Sequence, residues 1–65
     1  MRITVNGESR ELSAGTLDEA MLELGLAGAV VGTAVNREFV PACDRPGTRL
    51  LDGDAVEILA PMQGG

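Results

Sequence analysis

The sequence predicts a small α+β domain, a two-layer roll in which one helix packs across one face of a mixed sheet of four or five strands. Three observations lead to this fold class. The chain begins with an apolar-polar alternation that ends at an Asn-Gly dipeptide, a short amphipathic segment with a helix-capping pattern follows, and a second apolar strand comes late in the 65 residues. A hairpin, a crossover helix and a late strand favour a single sheet covered by the helix.

The N-terminal segment predicts a β-hairpin. Residues 1–5 alternate apolar and polar side chains, which is the period of a half-buried strand. Asn6 and Gly7 tolerate positive φ and favour a type I′ turn. Residues 8–12 are then the return strand, in which only Leu12 is plainly apolar.

Residues 17–24 predict a helix of about 12 Å. Thr16 and Glu19 have the spacing of a capping box, in which each side chain bonds the other residue's backbone N–H. Gly25 is placed to end the helix. Leu22 lies off the apolar stripe, so it must pack on a loop or stay exposed. The stripe itself has helical spacing and comprises Leu17, Ala20, Met21 and Leu24.

The second half of the chain predicts two strands joined by a turn and then a long loop. Residues 29–35 are rich in Val and small residues, and residues 36–37 form the turn. Residues 38–40 are a short strand that Pro41 ends. The stretch 41–49 is the longest irregular segment of the chain.

The last strand is predicted over residues 55–60, after a return to the core at residues 50–51 and a turn at 52–54. Val56 and Ile58 fall on its core face. Because the first and last strands are both strongly apolar, we expect them to lie side by side in the centre of the sheet. The domain is therefore residues 1–60, and residues 61–65 are expected to be a flexible tail.

The composition excludes several classes of function. Five basic residues against ten acidic ones give a net charge of −5, which disfavours nucleic acids and anionic membranes as partners. The chain has no His, Trp or Tyr, so it lacks an imidazole base, a His metal ligand and a platform for base stacking. One Cys permits no internal disulfide, which fits a reducing, cytoplasmic location.

No side chains are arranged as a catalytic or metal-binding site. Cys43 lies in the long loop, where Arg45 and Arg49 are the nearest candidate cations, but no His is available as a base. We interpret it as an incidental thiol, with redox sensitivity or a mixed linkage to a partner as the alternative. Phe39 is expected to pack in the core or at its rim, with a docking role as the alternative.

The C-terminal Gly64-Gly65 is the most informative feature for function. One interpretation is a frayed end. The other is that the terminal carboxylate is the working group, since a chain without side chains enters a narrow slot in another enzyme. Adenylation by ATP would convert this carboxylate into a mixed anhydride that a sulfur or nitrogen nucleophile attacks.

The sequence resembles the ThiS family of thiamine-biosynthesis sulfur carriers, which have the ubiquitin-like β-grasp fold. The resemblance covers nearly the whole chain. It is carried by the segments 3–7, 15–17, 34–41 and 51–59 and by the ending Met62-Gln63-Gly64-Gly65. The sequence departs from the family pattern at Ala42-Cys43, where many relatives have a basic or aromatic residue.

The resemblance implies a protein co-substrate and not an enzyme. Gly65 would be adenylated by an E1-like adenylyltransferase of ThiF type, with ATP consumed by that partner, and converted to a thiocarboxylate. A cysteine desulfurase or rhodanese-type protein would donate the sulfur, and a thiazole synthase of ThiG type would receive it. Met62, Gln63 and Gly64 would be recognised in the partner's slot, and Leu59 and Phe39 would lie on the partner surface. No bound cofactor or metal is expected.

Three alternatives remain at this point. The chain could serve another sulfur pathway, as the small subunit of molybdopterin synthase does, or it could be a ubiquitin-like protein modifier. The absence of Lys excludes isopeptide chains built on side chains of this protein. The third alternative is an interaction domain with an idle tail.

Overall fold

Five strands and one α-helix form two layers in residues 1–60, the part of the chain that this computed structural model describes. The strands belong to one mixed sheet in the order β2-β1-β5-β3-β4. The elements are β1 (Arg2–Val5), β2 (Glu8–Glu11), α1 (Leu17–Glu23), β3 (Gly32–Val35), β4 (Glu38–Val40), a 3₁₀ helix (Ala42–Gly47) and β5 (Ala55–Leu59).

The first and last strands are neighbours, as predicted. β5 pairs with β1 in parallel and with β3 in antiparallel orientation, so that Val56 lies opposite Val5 on one side and Val35 on the other. The hairpins β1–β2 and β3–β4 occupy the two sides of the sheet. β5 therefore has a hydrogen-bonded strand on each side.

The core lies between the sheet and α1. Alternation along the strands turns Ile3 and Val56 towards the helix, and Leu17 on the helix is fully buried against them. The other buried apolar residues of this core are Val5, Leu12, Ala14, Ala20, Val40 and Leu50. A helix of seven residues is too short to be stable in isolation, so packing on the sheet stabilises it.

Both ends of α1 are capped in the way that the sequence predicts. The Glu19 N–H donates to Thr16 Oγ1 at 3.2 Å, and the Thr16 N–H donates back to Glu19 Oε1 at 3.2 Å. At the other end Gly25 adopts φ +78°, and the Leu26 N–H reaches the Met21 carbonyl at 2.8 Å. This is a Schellman ending. Leu22 stays exposed.

The third strand is shorter than predicted. β3 begins at Gly32 and not at residue 29, because Gly28 (φ +80°) and the bond from the Ala29 N–H to the Leu26 carbonyl form a turn there. Gly32 lies opposite Leu59, the last residue of β5, so the residues before it have no β5 partner. Val30 is consequently exposed.

The long loop also differs from its prediction, because it contains the 3₁₀ helix Ala42–Gly47. Residues 50–51 were both predicted to return to the core, but only Leu50 does. Leu51 is 66% exposed, and its N–H donates to the carboxylate of Asp54. Within residues 1–60 no helix is long and apolar enough to cross a membrane.

Candidate functional site

The face of the sheet opposite α1 carries an uncovered apolar surface at its β5–β3–β4 side. Leu59 and Phe39 are each 72% exposed. Strand pairing sets Gly32 across from Leu59 and Ala34 across from Phe39, and these small residues leave both large side chains uncovered. We call Ala34, Phe39 and Leu59 the apolar face. They line a shallow depression of about 140 Å³ together with Gly32, Thr33 and Glu57.

Phe39 does not pack in the core, so that expectation is wrong and the docking alternative fits its position. The inward position on β4 belongs to Val40, which is buried. Alternation then turns Phe39 to the opposite side of the sheet, next to Ala34. Phe39 and Leu59, which the sequence placed on a partner surface, thus lie on the same face.

The β1–β2 side of this same face is charged. Arg2 and Glu11 are cross-strand partners, and Arg2 Nε lies 3.4 Å from Glu11 Oε1. The Met1 amino group lies 3.1 Å from the other carboxylate oxygen of Glu11. The hydrogen bond from this amino group, its charge and the nearby Arg2 together lower the pKa of Glu11. The outer face of the sheet therefore has paired charges on its β1–β2 side and, on its β5–β3–β4 side, the apolar face with Glu57 beside it.

The described residues contain no catalytic arrangement. No three His, Cys, Asp or Glu residues among residues 1–60 are grouped as metal ligands. Cys43 is exposed, and its Sγ lies 3.8 Å from Asp44 Oδ1. Arg45, one of the cations considered for it, points inward instead and donates to Thr33 Oγ1 at 3.0 Å and to the Val31 carbonyl at 2.7 Å.

Two asparagines have a structural role that the sequence reading missed. Asn6 and Asn36 both adopt left-handed conformations in hairpin turns, and both side-chain amides bond the backbone of β5. Asn6 was interpreted only as a turn residue. A signal was present in the sequence, because each follows a strand-ending valine and precedes Glu by two positions, in Val5-Asn6-Gly7-Glu8 and Val35-Asn36-Arg37-Glu38.

The predicted tail residues Met62, Gln63, Gly64 and Gly65 lie outside the described residues. The described chain reaches one residue beyond β5. The structure therefore brings the two predicted surface residues together and leaves the proposed attachment residue Gly65 as a prediction.

Comparisons with known proteins cover almost the whole chain. The ThiS family model matches residues 3–65. The sulfur carrier protein ThiS of Thermus thermophilus is 40% identical over 63 residues, which are 97% of this chain and 98% of that protein. A crystal structure of the thiamine biosynthesis protein ThiS from Geobacter metallireducens superposes with a TM-score of 0.82 at 36% identity, with both chains fully covered.

A second relative is much longer than this chain. A thiazole synthase of Paramagnetospirillum magneticum is 39% identical over 66 residues, which span all of this chain but 20% of that protein. A domain similar to this one is therefore part of a polypeptide named for thiazole synthesis.

The mixed five-stranded sheet with one helix across it defines a ubiquitin-like β-grasp protein. Its surface offers an apolar face and, within residues 1–60, no group of catalytic side chains. The chain belongs to the ThiS family. It is accordingly a sulfur carrier of thiamine biosynthesis, a co-substrate for enzymes, and the matches favour this role over the molybdopterin and protein-modifier alternatives.

Proposed function

We propose that this chain carries sulfur as a thiocarboxylate on Gly65. The family model extends through Gly65, and this match carries the proposal. The carboxylate would attack the α-phosphate of ATP in an E1-like adenylyltransferase and release pyrophosphate. The persulfide of a sulfur donor would then attack the acyl carbon and expel AMP, and a thiol would cleave the S–S bond of the resulting acyl disulfide, which releases the thiocarboxylate and leaves a disulfide between the donor and that thiol. The chain would supply no catalytic side chain, because the activating groups belong to the partner.

The apolar face is proposed as the docking surface for these enzymes. Leu59 ends β5, six residues before Gly65, so a partner that grips Leu59 and Phe39 also holds the start of the segment that leads to the carboxylate. Complete burial of a Leu or Phe side chain contributes about 1.5–3 kcal/mol, so we expect Leu59 and Phe39 to be the main apolar anchors of a transient complex.

The adenylyltransferase, a sulfur donor such as a cysteine desulfurase or rhodanese-type protein, and a thiazole synthase are the proposed partners. The similarity to part of a thiazole synthase supports the last of these, because fusion of a carrier domain to its acceptor would raise their effective concentration. The enzymes act in the cytoplasm, where the exposed thiol of Cys43 would stay reduced.

The test removes Gly65 or replaces it with Ala and measures ATP–pyrophosphate exchange with the cognate adenylyltransferase. Deletion shortens the chain by about 3.5 Å, and a misplacement of 1 Å already costs about 100-fold in rate. We therefore expect adenylation to fall by at least about 100-fold, with an unchanged Tm. Near-normal exchange by the truncated protein would refute the proposal.

A second variant controls for sulfur bound elsewhere. Intact mass distinguishes the exchange of one oxygen for sulfur at Gly65 from the addition of a whole sulfur atom to Cys43. A Cys43→Ser protein should still acquire the thiocarboxylate mass. Loss of the sulfur with this substitution would show that the cysteine, not the terminal carboxylate, is the carrier.

A further inference from the structure

The end of β5 that leads to the tail extends beyond its neighbour β1. Parallel pairing between the two strands ends at Val5 and Val56, whereas β5 continues to Leu59. On the other side β3 remains paired to the end of β5, where Gly32 lies opposite Leu59. The last residues of β5 would therefore have strand hydrogen bonds on one side alone, unless another group replaced β1.

Asn6 is that group. Its backbone N–H donates to the Val56 carbonyl at 2.9 Å, as a parallel ladder requires. In a continuing strand its carbonyl would next accept from Ile58, but Asn6 turns into the left-handed region with φ 52°. Its side-chain amide takes over this pairing: Oδ1 accepts from the Ile58 N–H at 2.8 Å, and Nδ2 donates to the Ile58 carbonyl at 3.1 Å.

Asn36 makes the equivalent arrangement at the opposite end of β5. It has φ 50°, its backbone N–H donates to the Ala55 carbonyl at 2.7 Å, and its Oδ1 accepts from the Ala55 N–H at 3.0 Å. Its Nδ2 bonds Asp54 Oδ1 at 3.0 Å. Asn36 thus holds the beginning of β5 and Asn6 holds its end, and of the two only Asn6 lies at the end that precedes Gly65 in the sequence.

We propose that Asn6 is a positioning residue for the reaction at Gly65: its side-chain amide fixes the backbone N–H and carbonyl of Ile58 and thereby the direction in which β5 ends at Leu59. This inference rests on the proposed function. Ile58 lies seven residues before Gly65. If the partner binds Leu59 and also receives Gly65 in a slot, the direction of the backbone at the end of β5 affects where the carboxylate lies. A shift of about 1 Å at the reacting atom costs about 100-fold in rate.

The test compares Asn6→Gly with Asn36→Gly. Glycine adopts the left-handed conformation at both positions, so each substitution keeps its turn. Asn6→Gly removes the side-chain bonds to Ile58, and Asn36→Gly removes those to Ala55 and Asp54. Hydrogen exchange should accelerate at the Ile58 amide in Asn6→Gly and at the Ala55 amide in Asn36→Gly. Asn6→Asp keeps the acceptor for the Ile58 N–H and loses the donor, so it should be intermediate.

Adenylation kinetics then give the decisive readout. We expect Asn6→Gly to lower kcat by about 10- to 100-fold, with a smaller change in KM because the apolar face is retained. Asn36→Gly should keep kcat within about twofold of wild type, because it leaves the bonds between Asn6 and Ile58 in place. Equal losses in both variants, or a wild-type kcat in Asn6→Gly despite faster exchange at Ile58, would overturn the positioning role. A wild-type protein that is not adenylated would instead refute the proposed function itself.

Discussion

Replacing Thr33 with Val tests the buried polar contacts beneath the 3₁₀ helix. Thr33 is 2% exposed, and its hydroxyl donates to the Val40 carbonyl at 2.7 Å while it accepts from Arg45 Nε at 3.0 Å. Arg45 is itself 9% exposed. No carboxylate of residues 1–60 forms an ion pair with this guanidinium, so neutral oxygens alone compensate for its burial.

The size of the effect follows from these contacts. Valine has nearly the shape of threonine, so Thr33→Val leaves the packing intact and removes both bonds. Arg45 Nε then has no acceptor, and leaving a buried polar group unsatisfied costs about 1–3 kcal/mol, and more for charged groups. We expect a loss of about 2–3 kcal/mol from a total near ~3–10 kcal/mol for a chain of this size. The Tm should fall by roughly 10–20 °C.

Urea denaturation measures this loss as a lower midpoint with an unchanged m-value. Thr33→Ser is the matched control, because it keeps the hydroxyl and removes a methyl group worth about 1 kcal/mol. The serine variant should therefore be more stable than the valine variant. The reverse order would refute the reasoning, since it would show that apolar packing at this position outweighs both hydrogen bonds.

Three further outcomes are expected. Leu59→Ala should weaken binding to the adenylyltransferase about tenfold, since burying the exposed part of this side chain contributes about 1–2 kcal/mol. Leu51, which is 66% exposed but lies outside the apolar face, is the control, and Leu51→Ala should leave binding unchanged. Equal effects of the two substitutions would contradict a localised docking face. Glu11→Gln should lower the free energy of unfolding at neutral pH, because the pKa of Glu11 is lowered in the folded state and the ionised group stabilises that state. The difference from wild type should vanish as the pH falls below 4.5, the ordinary pKa of this group, and Glu11 becomes protonated. A difference that persists in acid would exclude this cause. Higher salt should slow association with the adenylyltransferase more than dissociation, because a carrier of net charge −5 is steered by a basic partner surface; an association rate independent of salt would exclude steering.

The helix was predictable because its determinants are local. The capping box, the apolar stripe and the terminal glycine all lie within ten residues, and each has the predicted contact in the structure. The side-by-side placement of β1 and β5 followed from a simple comparison of their apolar content, since these two inner strands supply Ile3, Val5 and Val56 to the core.

The errors arose where the outcome depends on distant pairing. The start of β3 is set by the end of β5, which lies 27 positions later at Leu59 opposite Gly32. The exposure of Phe39 depends on the register of β4 against β3, which a three-residue segment does not specify by itself. The inward course of Arg45 could not be predicted from charge, because its acceptors are an oxygen on Thr33 and a backbone carbonyl.

The arrangement of β5 explains how one strand would serve both folding and the proposed docking. Its inward residues Val56 and Ile58 pack against the core, and its outward residue Leu59 stays bare on the opposite side. Pairing with β3 on one side and the bonds from the Asn6 amide to Ile58 on the other fix the backbone next to Leu59. Substitutions at Leu59 should therefore weaken partner binding without unfolding the domain. Substitutions at Val56 should instead lower the stability of the domain, because Val56 lies on the opposite, inward face of the same strand.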